Sequence, residues 1–250
     1  MDVFNDEAAT FADHWAGLPA PAQREIADAL DLGDGTRLLD VGCGSGHFCA
    51  QALARGARVS GIDAAPAMIA IASRVAPGAD FCVGPMEQLP WPDDTFDAVT
   101  SFNSLQFSED PGAALREWVR VAKPGAVIAI CVWGPREECE LDAVWRVLNT
   151  EPAAPRFCER LVETVEAAGL ELRAHASVSV PYEVPDRERF ELAHGFLARG
   201  VAEVPEAEAL AALVGAAEPF RRPDGSYRLE NTFRYAISAV PSPRPTPAAS

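Results

Sequence analysis

The sequence predicts an α/β fold: a doubly wound, mostly parallel seven-stranded sheet with an antiparallel last strand and a helical lid inserted before it. Three observations carry this. Short apolar runs alternate with helical stripes from residue 37 to residue 132, the pattern of successive strand and crossover-helix units. A glycine-rich turn at 42–46 stands where the first strand gives way to a helix. The 250 residues, 48% hydrophobic and 23% charged, suffice for one domain with a sizeable core.

Taken in order, Ala22, Ile26 and Leu30 share a helical stripe that Gly33 and Gly35 end, and residues 1–32 are read as an N-terminal helical cover. Residues 37–41 (RLLDV) form the first strand, and 47–55 a helix with Phe48, Ala52 and Leu53 inward. A second strand at 57–62, a helix at 66–75 and a third strand at 80–83 continue the series. A fourth strand follows at 97–102, then a helix at 112–122 burying Leu115, Trp118 and Val119. Residues 126–132 are a nearly unbroken apolar run, suited to a central strand covered on both faces. Phe157, Leu161 and Val165 recur at four-residue spacing up to Gly169, and 170–180 alternates like a strand. Two helical pieces around 190–197 and 207–213 come next, before 227–240 returns as one antiparallel strand. Residues 183–224 therefore read as an insertion with few contacts to the sheet, a mobile lid. The single domain spans 1–240, and 241–250 (PSPRPTPAAS) is expected to be a disordered tail.

With 37 acidic against 21 basic residues, the formal charge of −16 repels phosphate backbones and anionic lipid surfaces, so nucleic acid and membrane are excluded as partners. Lys123 is the sole lysine, so no polybasic patch of lysines is present. The six cysteines (43, 49, 82, 131, 139 and 158) contain no Cys-x-x-Cys pair, which argues against zinc or a disulfide framework and for reduced thiols in the cytoplasm. The acidic start lacks the positive charge of a signal peptide, and no apolar run approaches the ~18 residues of a membrane span.

The strongest chemical signal is LLDVGCGSG at 38–46, followed by Asp63 at the end of the next strand, 17 positions beyond Gly46. Glycines there let a ligand lie against the backbone near a helix N-terminus, and an acid at the second strand tip can accept both hydroxyls of a ribose. Gly42, Gly44 and Gly46 spell G-x-G-x-G with Asp40 just upstream, whereas a dinucleotide fingerprint needs G-x-G-x-x-G, in whose third place His47 stands. The spacing selects S-adenosylmethionine.

Together with VSGIDAAPAMI (59–69), GPMEQLPWPDDTFDAV (84–99) and WVRVAKPGAVIAI (118–130), these residues make the chain similar to the class I S-adenosylmethionine-dependent methyltransferases. In particular, over about residues 36–134 it resembles the small-molecule group that includes the ubiquinone and menaquinone biosynthesis methyltransferases. The resemblance implies a Rossmann-like methyltransferase fold, with S-adenosylmethionine as cofactor and S-adenosylhomocysteine as its product. It places Asp40, Gly42 and Gly44 around the methionine portion, Asp63 on the ribose, and Met68 with the backbone at Met86 and Glu87 around the adenine. The backbone carbonyl of Asn103 faces the cofactor's amino group, and Phe11, Cys43 and Ala64 complete the cofactor-binding set. One departure stands out: the family commonly has an acid after the glycine of its G-D-A-E-x-L-P stretch, and here Pro85 follows Gly84, leaving Glu87 as the substitute acceptor.

Methyl transfer from a sulfonium is an in-line displacement, so alignment dominates and a base is needed only for acceptors that must lose a proton. His14 and His194 are the candidates; His47 adjoins the glycine turn, and His175 belongs to a late strand. Gln106 stands where many relatives carry histidine. Phe11, Trp15, Trp133 and Phe196 lie in or beside the segments expected to close over an apolar or aromatic acceptor. The expected reaction is O-methylation of a small-molecule hydroxyl in specialised, natural-product metabolism. The alternatives are N- or C-methylation, or a cyclase or other non-transferase that binds S-adenosylmethionine in the same fold. Monomer and homodimer stay open.

Overall fold

A computed structural model describes residues 2–148, 156–200 and 204–242. The expected tail lies outside the described residues from 243 onward. In chain order the strands are β1 (Arg37–Val41), β2 (Arg58–Asp63), β3 (Asp80–Val83), β4 (Phe96–Phe102), β5 (Ala122–Trp133), β6 (Glu171–Ser179), β7 (Tyr182–Val184), β8 (Tyr227–Leu229) and β9 (Thr232–Ala239). Seven of them form one sheet in the order β3-β2-β1-β4-β5-β9-β6. The pairs among β1 to β5 are parallel, and β9 runs antiparallel between β5 and β6. Strand order reverses between β1 and β4, the switch point beyond whose carboxyl ends ligands bind in open α/β sheets.

Alternating side chains send the two faces of this sheet into different cores. On one face Leu39, Val41, Val99, Ile128, Ile130 and Val132 pack against Leu115 and Trp118 of α6 (Pro111–Val121) and Leu161 and Val165 of α8 (Leu161–Ala167). On the other, Leu38, Val59 and Ala98 meet Phe48 and Cys49 of α4 (His47–Ala54). Ala129, Cys131, Tyr235 and Ile237 share that side with Ile26 of α3 (Ala20–Ala29). Helix α5 (Pro66–Val75) begins at a proline, and α6 has both Pro111 in its first turn and the Asp110 carboxylate accepting from Ala113 N at 2.9 Å. Such a cap adds about 1 kcal/mol.

Three features differ from the sequence-based expectation. Residues 227–240 are two strands, because Asn231 breaks the run: its Oδ1 accepts from Leu141 N (3.1 Å), its Nδ2 donates to Leu229 O (2.9 Å) and its carbonyl accepts from Val180 N (2.8 Å). Strands β7 and β8 pair with each other in a separate two-stranded sheet. A short helix, α7 (Glu140–Trp145), follows β5; six residues were too few to show a helical period. Finally, the 183–224 segment is not sparsely attached. Its helices α9 (Arg187–Arg199) and α10 (Glu206–Ala217) bury Phe190, Ala193, Leu213, Val214 and Ala217 in the same cluster as Ala129, Cys131, Phe233 and Tyr235. Among the described residues no helix is long and apolar enough to cross a membrane.

Candidate functional site

At the end of β1 the chain turns through Gly42, Gly44 and Gly46, with φ of +69°, +52° and +77°. A Cβ on Gly42 would fall 2.2 Å from the Ser104 side chain, and one on Gly46 2.9 Å from Ala72, so close packing as well as backbone angle requires glycine at both. Gly44 has no atom within 4 Å of that position and opens onto the cradle above the turn. Asp63 locks this cradle to the tip of β2: one carboxylate oxygen accepts from Gly44 N and the other from Ala65 N, both at 2.9 Å. Burial raises its pKa, while those N–H groups oppose the rise. Beneath the turn Asp40, 2% exposed, accepts from Thr100 Oγ1 at 2.8 Å and from the Cys49 thiol, and burial pushes its pKa up to about 7. A narrow cleft is lined by Gly42, Ile62, Asp63, Ala64, Gly84 and Met86.

The far wall of the cleft is held from α6. Trp118 Nε1 donates to Met86 O at 3.1 Å, Glu117 accepts from Leu89 N at 2.9 Å, and the Arg120 guanidinium reaches Leu89 O and Trp91 O at 3.0 and 2.9 Å. Arg120 also pairs with Glu117 and draws its carboxyl down to about 2. Glu87 is engaged by the Ser108 hydroxyl. Met68 packs with Ala8, Ala65 and Phe11, so Phe11 and Met68 share one apolar cluster between α5 and the N-terminal helices α1 (Asp2–Asp6) and α2 (Ala8–His14). Asn5 accepts from Ala67 N at 3.1 Å and pins that segment down. At the tip of β4, Asn103 takes a left-handed φ of +53°, its N–H donating to Cys131 O at 2.7 Å and its Oδ1 buried without a partner. A residue in this conformation is an outlier of the kind concentrated at functional sites.

Over this edge runs a chain of rings. Phe4 contacts Phe107 and Phe11 (5.3 and 5.0 Å between centroids), Phe11 contacts Phe196 (5.0 Å), and Phe196 contacts Trp15 (6.5 Å). Trp15 continues it to Trp145 (5.8 Å), and Trp145 to Trp133 (5.3 Å). All four aromatics singled out in the sequence are joined here. Trp145 and Tyr182, which nothing local in the sequence marks, are part of it too: one sits on the short α7, and the other is brought in by the β7–β8 pairing.

The two candidate histidines approach the same region. His14, half-buried at the end of α2, precedes Trp15, whose indole N–H donates to Ala193 O at 2.9 Å. His194 is fully buried, its Nδ1 on Phe190 O at 2.8 Å, and burial, with a smaller contribution from the charge of His14, lowers its pKa to about 4. His47 instead bonds Ser45 at the start of α4, and His175 lies on β6 opposite Ala236. Cys43, 8% exposed, is one of six free cysteines. Among the described residues no group of three or more His, Cys, Asp or Glu side chains is placed to hold a metal.

A glycine cradle at a helix start, an acid at the neighbouring strand tip and a switch point between them define a nucleoside-binding α/β domain, and the half-buried Asp63 carboxylate beside the turn suits a cationic cofactor. Residues 39–130 match the family described as a methyltransferase domain. The malonyl-[acyl-carrier protein] O-methyltransferase of Serratia marcescens is 35% identical over 137 residues, 53% of each chain. Among solved structures, a chain from the Haloferax volcanii complex with the Trm112 methyltransferase activator superimposes with a TM-score of 0.66 at 19% identity, covering 98% of this chain and 99% of that one. The [4+2]-cyclase SpnF superimposes with a TM-score of 0.62 at 23% identity, covering 92% and 84%. The chain spans 32% to 53% of the length of the first curated relatives it matches. Residues 39–130 are by this match a methyltransferase domain, and the chain has the fold of these solved structures. The open space above Gly44 and the Asp63 carboxylate fit S-adenosylmethionine, the cofactor that the glycine spacing implies.

Proposed function

We propose that the protein transfers the methyl group of S-adenosylmethionine to an oxygen of a small-molecule acceptor. The observation that carries this is the juxtaposition of the Gly44–Asp63 cradle with the ring-lined roof contributed by α2 and α9. Similarity to a malonyl-[acyl-carrier protein] O-methyltransferase supports oxygen as the accepting atom.

When bound, S-adenosylmethionine supplies an electrophilic methyl: an acceptor oxygen pair forms the new C–O bond as the C–S bond breaks, and that bonding pair stays on sulfur. The residues of the chain do the rest. Asp63 holds the ribose; Gly42, Cys43 and Gly44 leave room for the methionine portion, which the Asn103 carbonyl and the Asp40 carboxyl beneath the turn orient. Ala64, Met68, Phe11 and the backbone at Met86 and Glu87 enclose the adenine. The roof excludes water and holds the acceptor in line, a contribution that proximity makes large. His194, held neutral, accepts the hydrogen bond of the acceptor hydroxyl and orients it, and His14 or His194 takes the proton as the C–O bond forms. Six free thiols suit a reducing cytoplasm, and the acceptor belongs to specialised metabolism.

Incubation with methyl-labelled S-adenosylmethionine and a panel of phenols, carboxylic acids and amines tests this. Label on oxygen of a phenol or acid is the expected result. Label on amines alone, or cofactor binding with no transfer to any member, overturns it.

A further inference from the structure

Within the ring-lined roof, the group around the Trp15 indole contains polar atoms that packing alone does not account for. Tyr182 stacks on Trp15 at 4.9 Å, His194 meets it edge-on at 5.1 Å and Trp145 tilts against it at 5.8 Å. Tyr182 and His194 are 3% and 0% exposed. Trp15 Nε1 is satisfied by Ala193 O, but Tyr182 Oη, His194 Nε2 and Trp145 Nε1 are buried with no hydrogen-bond partner. Interior polar atoms of this kind forfeit their bonds to water and destabilise the fold, so a core shaped for stability alone would carry Phe and Leu in their place.

Their donor and acceptor roles are fixed. A carbonyl only accepts, so the contact with Phe190 O puts the His194 proton on Nδ1 and leaves Nε2 a bare acceptor. Trp145 Nε1 only donates, and burial raises the Tyr182 phenol pKa, which keeps its proton in place. The group therefore presents one acceptor, one donor and one hydroxyl capable of both, between flat apolar faces and with no formal charge.

We propose that Trp15, Trp145, Tyr182 and His194 form the recognition site for the ring and hydroxyl of a neutral hydroxyaromatic acceptor, His194 Nε2 accepting from its O–H and Trp145 Nε1 or Tyr182 Oη donating to its oxygen. This rests on the reading of the protein as an O-methyltransferase and narrows the acceptor from any small molecule to an uncharged phenol or enol. A site built to hydrogen-bond a hydroxyl discriminates strongly against an isostere that lacks it, because its own polar groups are then left unpaired.

Calorimetry on the protein saturated with S-adenosylhomocysteine, titrated with 2-naphthol and with 2-methylnaphthalene, tests the site without any methyl moving. The expected result is at least tenfold tighter binding of 2-naphthol. Tyr182→Phe and Trp145→Phe are each expected to shrink that preference at least threefold, with S-adenosylhomocysteine affinity unchanged and Tyr182→Phe melting no lower than the parent. Equal affinity for the two probes, no binding of either, or a preference that survives both substitutions overturns the proposal. Tyr182→Phe removes one oxygen that has no partner in the fold, so it tests the site without a folding penalty. Because binding alone is read, a protein that methylates no phenol can still pass, and one that methylates efficiently can still fail.

Discussion

At the tips of β1 and β2 the carboxylates find their partners inside the protein: Asp40 has Thr100 and Cys49, and Asp63 has the N–H groups of Gly44 and Ala65. Around Trp15, at the other end of the same sheet edge, Tyr182, His194 and Trp145 each bury a polar atom with none. Asn103, between the two regions, combines both conditions, its backbone N–H paired with Cys131 and its Oδ1 unpaired. The difference teaches how preorganisation is divided. The cofactor side is held ready by its own backbone, so its shape persists whether or not anything is bound. The acceptor side carries stored polar capacity that stabilises the fold only when a ligand answers it.

The largest expected effect separates the regions directly. His14→Ala lowers turnover by about 10² to 10⁴ while S-adenosylhomocysteine affinity stays within about threefold; steady-state kinetics beside calorimetry reads both, and a parallel loss of cofactor affinity moves His14 to the cofactor side. Asp63→Ala acts the other way. Losing charge-assisted bonds of about 1.5–3 kcal/mol each weakens S-adenosylmethionine binding by at least about tenfold, and an unchanged dissociation constant removes Asp63 from the ribose. Circular dichroism is the needed control, since Asp63 also anchors Gly44 and Ala65.

Two smaller effects concern stability and pH. The pKa of Asp40 is raised from 3.8 to about 7, so the folded state keeps a proton that the unfolded chain releases. The resulting stability is full below about 3.8 and is lost as pH rises through about 7, each pKa unit corresponding to about 1.4 kcal/mol. Asp40→Asn should flatten that window and raise the melting temperature at pH 8; an unaltered profile rejects the assignment. Glu117, lowered from 4.5 to about 2, has the opposite sign: its contribution is present above about 4.5 and fades as pH falls toward 2. Glu117→Gln should remove the acid-side slope and loosen residues 84–91, read by urea titrations between pH 2 and 5. The smallest effect sharpens the comparison most. With S-adenosylhomocysteine and a bound phenol, hydrogen exchange should slow in α9 and α10 and change little in β1 to β5; uniform slowing denies that the two sides are separately organised.

What was legible in the sequence follows the same division. β1, α5 and β3 begin and end where residues 37–41, 66–75 and 80–83 were read, because glycine, proline and apolar runs punctuate them locally. The meeting of Gly44 with Asp63 was legible too, since parallel strand tips separated by one crossover must lie side by side. Trp145 and Tyr182 were not. Each owes its place to a short element whose position is set by long-range pairing, and nothing local marks a tyrosine on a three-residue strand as facing an indole. The length of α9 was underestimated for a related reason: its ends are polar and exposed, and only its buried middle carries the apolar signal.

The small β7–β8 ladder has a consequence for how such proteins diverge. Tyr182 pairs with Leu229 and Val184 with Tyr227, and Val180 is bonded to Asn231, so the chain leaves the main body and re-enters it through two adjacent strands. An exchange of the segment between them leaves the register of β5, β9 and β6 untouched but has to rebuild the core that α9 and α10 share with Ala129, Cys131, Phe233 and Tyr235. A new 185–226 on an old cofactor half thus changes the His194 side of the roof and keeps Trp15, Trp145 and Tyr182 in place. The expensive part, the glycine turn and its acids, is inherited without having to be reinvented.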